Sequence, residues 1–356
     1  MSRSIMKAKF LYIIFSLFLL ASCTESIEVV LDRTVAQMVV GDMITLQAQT
    51  NPHTDEEVEW ISTNPEVATV FKGVVTAVAD GKTEIMAKIG GSSAVCVVYV
   101  TQEGGTYWGE YQLVWEENFD GNALDTSVWN IEQGGGGWGN NEKQYYTDRS
   151  DNLRVEDGCL IIEAKKEQYE NRSYTSARIT TENKKDFVYG KIEARISLPT
   201  GRGTWPAFWM LGYGSWPTCG EIDIMEHVGS NPTMISHALH TRKKNGSNGQ
   251  NWSLRVTKEN VEGEFHVYGI EWLKDYQFGR DAIRFYIDDE VSTIQYEPTA
   301  EPDFEQWPFN DEFFVILNLA LGGNMGGSID DNIFADPINN PILMKVDWVR
   351  VYQKQL

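Results

Sequence analysis

Between Gly220 and His227 lie three carboxylates in six residues, Glu221-Ile222-Asp223-Ile224-Met225-Glu226. Side chains of a strand alternate between its faces, so Glu221 and Asp223 share one face and Ile222 and Ile224 the other. Strict alternation would put Glu226 with the isoleucines. A β-bulge near Ile224-Met225 adds one residue and returns Glu226 to the face of the other two acids; bulges are over-represented beside active sites. The pattern predicts a bulged strand with a dry core below its Ile, Ile and Met and a cleft above. Glu221 and Glu226 then stand as if four strand positions apart, about 13 Å between Cα atoms. Two long side chains leaning together bring their carboxyls to roughly 5–5.5 Å, where one can attack an anomeric carbon while the other protonates the leaving oxygen. The charge of Asp223 helps keep Glu226 protonated. An acidic edge strand facing water is the competing reading.

The chain has 356 residues, enough for two domains and a targeting segment. Its net charge of −21 argues against nucleic acid as a partner, because phosphate binding needs a basic face. Twelve tryptophans offer flat surfaces for the C–H faces of sugar rings, and the same rings can fill a β-sandwich core. Cys23, Cys96, Cys159 and Cys219 match no zinc spacing, and the last three imply no disulfide framework. Cys219, two residues before Glu221, reads as a small core residue.

Residues 1–22 read as a secretory signal: Arg3, Lys7 and Lys9 precede an apolar run, Phe10 to Leu20, too short to span a bilayer. The run ends Leu20-Ala21-Ser22-Cys23, which resembles the lipobox of bacterial lipoproteins. That resemblance implies acylation of Cys23 and anchoring to a bacterial membrane, the outer one by expectation. Residues 27–101 carry short alternating runs separated by turn signals such as Gly41-Asp42, Asn64-Pro65 and Gly90-Gly91, which predicts a small β-sandwich. Trp60 to Val70 followed by Gly73-Val74-Val75-Thr76-Ala77 is similar to the bacterial immunoglobulin-like domain of group 2. Residues 102–109 read as a Gly-rich linker. Residues 110–356 hold many short strands and Gly- or Asn-rich loops, as in one all-β sandwich or jelly roll.

The segment 110–356 resembles glycoside hydrolase family 16 in its laminarinase-like branch. The matching motifs are Leu113 to Gly121, Gly137-Trp138-Gly139-Asn140-Asn141-Glu142, Ser176 to Thr181, Tyr189 to Arg195, Gly203 to Gly212 and Val346 to Tyr352. The resemblance implies a curved, concanavalin-like jelly roll with a sugar cleft. It makes Glu221 the nucleophile, Asp223 the assisting acid and Glu226 the general acid/base, with no cofactor in the chemistry. Trp205 and Trp209 are candidates for stacking on sugars, and Trp216 for a wall on the leaving-group side. Asn140 and Glu142 are candidates for bonding sugar hydroxyls, as is Arg178, for which a structural salt bridge is the equal alternative. His240 is placed near the scissile bond. Asp347 with carbonyls at Gly158 and Asn118 is implied as a structural calcium site, although the usual acid at 118 is Asn here. The implied activity is retaining endo-hydrolysis of β-1,3- or mixed β-1,3/1,4-glucan by a monomer. A non-catalytic glycan-binding lipoprotein and a galactan hydrolase are the alternatives.

Overall fold

The apolar residues on either side of the linker collect into separate cores. The computed structural model of the protein describes residues 27–54, 56–101, 111–277, 280–299 and 302–354. The signal segment with Cys23 and the linker 102–109 lie outside the described residues. Among the described residues no helix is long and apolar enough to cross a membrane.

In the first unit a four-stranded sheet runs in the order Val35–Val39, Ser92–Thr101, Gly81–Ile89, Glu59–Ser62. A three-stranded sheet of Met43–Thr45, Val74–Ala77 and Ala68–Phe71 and a pair formed by Glu28–Leu31 and Ala48–Asn51 accompany it. Alternation sends Ile85, then Cys96, Val98 and Val100, inward, where they meet Met38, Ala68 and Val75, while Ala87 and Ile89 pack with Val29 in a second small cluster. The strand Val35–Val39 is set by long-range pairing. That strand pairs in parallel with Ser92–Thr101, a contact between segments some sixty residues apart, which local pattern does not announce.

The second unit is the expected all-β jelly-roll sandwich of two large sheets. One sheet has ten strands, with Ile342–Lys354 between Cys159–Tyr169 and Gly190–Ser197. The other has eight, along the path Asn130–Glu132, Arg178–Thr180, Phe313–Leu321, Thr204–Gly212, Glu221–His227, Met234–His240, Trp252–Thr257. The two sheets enclose one core. Ile192, Ile270, Phe285 and Val349 come from the ten-stranded sheet; Phe208, Met210, Ile222, Ile224, Met225 and Leu317 come from the other. All nine residues of Phe313–Leu321 are buried, as a central strand demands. The acidic strand lies two places from that centre, flanked by Thr204–Gly212 and Met234–His240, so its registry is fixed from both edges.

Candidate active site

The bulge is present. On the Thr204–Gly212 strand, Leu211, Trp209 and Ala207 stand opposite Glu221, Asp223 and Glu226, with the register shift between Phe208 and Trp209. On the other side His240, Ala238 and Ser236 oppose the same three acids. Two residues, Ile224 and Met225, therefore occupy the space of one. Both are fully buried with Ile222, while the acids take the opposite face. The driving force is hydrophobic. Sending Met225 to the core, where its loss would cost about 2–5 kcal/mol, carries Glu226 to the outer face.

Each glutamate receives an indole N–H. Trp216 Nε1 donates to Glu221 Oε2 at 2.7 Å, and Trp205 Nε1 donates to Glu226 Oε1 at 3.0 Å. The amide of Gly246 donates to Nδ1 of His240 at 3.0 Å. Nδ1 is then an acceptor, so the neutral ring carries its proton on Nε2. Nε2 lies 3.2 Å from Asp223 Oδ2 and 3.7 Å from Glu221 Oε1. His240 thus stands with Nε2 beside the acid pair, although Asp223 Oδ2 is buried with no hydrogen-bond partner among the described residues. These three residues also have the donor types of a metal site. The Nε2–H tautomer argues against that use, since a ligating nitrogen needs its lone pair.

Burial raises all three acids. Glu221 is pushed up to about 8, first by burial and then by the charge of Asp223, while His240 and the Trp216 bond pull the other way. Glu226 is pushed up to about 7 by burial, opposed by the bond from Trp205. Asp223 lies well above the usual carboxylate range, through burial and the charge of Glu226. Three neighbouring carboxyls at low dielectric cannot all ionise, so near neutral pH the cluster retains protons and titrates as a unit.

The remaining candidates fall into two groups. Trp205, Trp209, Trp216 and His240 adjoin the acids. Trp205 is largely buried and turns its N–H edge to Glu226. Trp216 bonds Glu221 and lies 6.1 Å from the His240 ring; the tight turn from Ser215 to Cys219 holds it at that end of the strand. Trp216 is 42 % exposed and so open to a ligand. The second group is a network beside Trp209. Arg178 is ion-paired with Glu132 and its guanidinium lies between two indoles, 4.8 Å from the Trp138 ring and 4.9 Å from that of Trp209. Arg178 therefore takes its salt-bridge alternative and stiffens two tryptophans through cation–π contact. Glu142 is buried and accepts from Gln144 and Tyr146, so its carboxylate is already engaged, and burial raises its pKa. Asn140 is exposed at the adjoining turn. Trp209 Nε1 donates to Asn318, whose amide reaches Tyr146 at 3.2 Å.

Trp138, Gln144, Tyr146, Gly246 and Asn318 escaped the sequence reading as site residues. Asn318 did leave a signal, a lone amide inside the apolar run Phe313–Leu321. Of the residues implied for a calcium, Asp347 gives its Oδ2 to Arg195 Nη1 at 2.5 Å, an oxygen that a hard cation would need. Cys159 and Cys219 are free thiols. Burial pushes Cys219 up to about 11, which leaves it inert.

Residues 140–350 match the model of glycosyl hydrolases family 16. The chain belongs to that family. It is a glycoside hydrolase, and residues 26–98 match the bacterial Ig-like domain (group 2). A β-glucanase of Rhodothermus marinus is 44 % identical over 254 residues, which cover 68 % of this chain and 85 % of that protein. A solved laminarinase structure from Rhodothermus marinus is similar at 42 % identity and a TM-score of 0.63, over 70 % of this chain and 99 % of that one. A glucan endo-1,3-β-glucosidase A1 of Niallia circulans is 38 % identical over 68 % of this chain; the chain spans 38 % of that longer protein.

Proposed function

We propose that the protein is a retaining endo-β-glucanase acting on β-1,3-glucan or mixed β-1,3/1,4-glucan, with Glu221 as nucleophile and Glu226 as general acid/base. The observation that carries this reading is the bulge, which sets both glutamates on one face with an acid between them. In the first step Glu221 attacks the anomeric carbon, the glycosidic bond breaks and the leaving oxygen takes the Glu226 proton. In the second, Glu226 accepts a proton from water as that water attacks the same carbon and frees Glu221. Asp223 supports both. When it holds a proton, the repulsion that raises Glu221 disappears, and a hydrogen bond to the ionised Glu221 replaces it. The Trp216 bond and the nearby His240 favour the Glu221 anion, against burial and the charge of Asp223.

Incubation with laminarin, barley glucan, lichenan and agarose, with the products identified, tests the substrate class. Oligosaccharides of mixed length from the glucans, and none from agarose, are expected. Release from agarose alone would move the reading to galactans, and release from no polymer would favour a glycan-binding role.

Trp205→Phe removes the donor that favours ionised Glu226. The Glu226 pKa then rises from about 7, and the alkaline limb of kcat/KM moves to higher pH by about one unit. A limb that stays in place would mean that another group governs it. The sequence Leu20-Ala21-Ser22-Cys23 after an apolar run further supports lipid anchoring at Cys23; Cys23→Ala is expected to release the protein from the membrane fraction.

A further inference from the structure

His237 stands opposite the bulge. Ala238 pairs with Asp223 and Ser236 with Glu226, so His237 alone faces the two-residue span of Ile224 and Met225. Its strand neighbours Ser236 and Ala238 belong to the acid face, so its ring points to the core. There it is fully buried, 5.0 Å from the Phe285 ring. Its Nδ1 lies 2.6 Å from the carbonyl oxygen of Ile224, the residue at which the strand departs from regular pairing. A carbonyl only accepts, so Nδ1 carries the proton and donates. Burial draws the ring's pKa down to about 4 in spite of that bond, so the ring stays neutral wherever the acids work.

A bulge disrupts the ladder locally, and the backbone groups it displaces need other partners. It can also move. An extra residue shifted along the strand past Glu226 would return that side chain to the core face. A donor anchored in the neighbouring strand and bonded to the Ile224 carbonyl opposes such a shift.

We propose that His237 is a positioning residue that pins the bulge through the Ile224 carbonyl and thereby sets where the Glu226 carboxyl stands relative to Glu221. The inference rests on Glu226 acting as the proton donor. His237 acts only through the backbone of the acidic strand.

Two substitutions in the full chain separate pinning from packing. His237→Leu keeps an apolar side chain of similar bulk and removes the donor. His237→Asn leaves a larger void but sets an amide N–H near the position of Nδ1. The leucine variant is expected to lose about tenfold or more in kcat on laminarin, with KM changed by less than about threefold and a displaced alkaline limb. The asparagine variant is expected to recover kcat to within about threefold of the parent and to restore the limb, even though its Tm is the lower of the two. A leucine variant with parental kcat and limb would overturn the proposal, as would activities that follow Tm in both variants. Should the leucine variant fail to fold, the ring nitrogens of the parent decide by 15N NMR. A neutral Nδ1–H tautomer from pH 5 to 9 supports the pin, and the Nε2–H tautomer or a titrating ring overturns it. Activity retained by Glu226→Ala would remove the underlying reading, whereas loss there with an unaffected His237→Leu would remove the pin alone.

Discussion

Glu221→Ala and Glu226→Ala are each expected to lose about 10⁴-fold or more in kcat/KM on β-glucan without loss of thermal stability. The two losses differ in what restores them. Glu221→Ala leaves a cavity on the face from which the nucleophile attacked. Azide entering that cavity displaces a good leaving group directly and gives an α-glycosyl azide from a β-linked aryl oligosaccharide. Glu226→Ala retains its nucleophile, so an activated aryl substrate that needs no proton still forms the covalent intermediate. Azide then attacks that intermediate from the opposite face and gives a β-glycosyl azide. Trp216, bonded to Glu221, and Trp205, bonded to Glu226, remain as walls of the two cavities. Products of the same anomeric form from both variants would overturn the division of roles.

The second large effect is on stability and has the opposite sign. Glu226 ionises near 4.5 when exposed and at about 7 in the fold. Between those values the native state holds a proton that the unfolded chain has released, so stability falls as pH rises through that window. At pH 8 the full cost of an ionised, buried Glu226 is present; at pH 4 it is absent. Glu226→Gln keeps an oxygen to accept from Trp205 and never ionises. It is expected to be more stable than the parent by about 2 kcal/mol at pH 8, several degrees in Tm, with little difference at pH 4. Scanning calorimetry of both proteins at the two pH values checks this. A gain of equal size at both would place its origin in packing instead of charge. An inactive variant that outlasts the parent is the expected signature of a site built at the expense of stability.

The acidic strand shows why so much was legible in the sequence. Glu-x-Asp-x-x-Glu with apolar residues between its acids has one economical solution on a sheet with a single buried face, and the register on both flanking strands adopts it. The alternating runs of the first unit translated into strands for the same reason. Contacts that depend on distant partners were not legible. Arg178 was undecided between substrate and salt bridge because Glu132 and Trp138 reach it only across paired strands and a folded loop. Gly246 fixes the tautomer of His240 through a backbone N–H, which no residue type announces. The bond from Trp216 to Glu221 was not legible either, because the direction of its loop is set by a short turn and not by pattern.

The most direct test of the central claim is to trap the intermediate. A laminari-oligosaccharide fluoride bearing fluorine at C2 of its reducing sugar destabilises the transition state of both steps, while its good leaving group lets the first proceed, so the glycosyl-enzyme accumulates. Proteolysis and mass spectrometry should then find one added glycosyl group, on the peptide containing Glu221 and at that residue. A label on Glu226, or a protein that turns over without any covalent adduct and releases sugar of inverted configuration, would contradict the account.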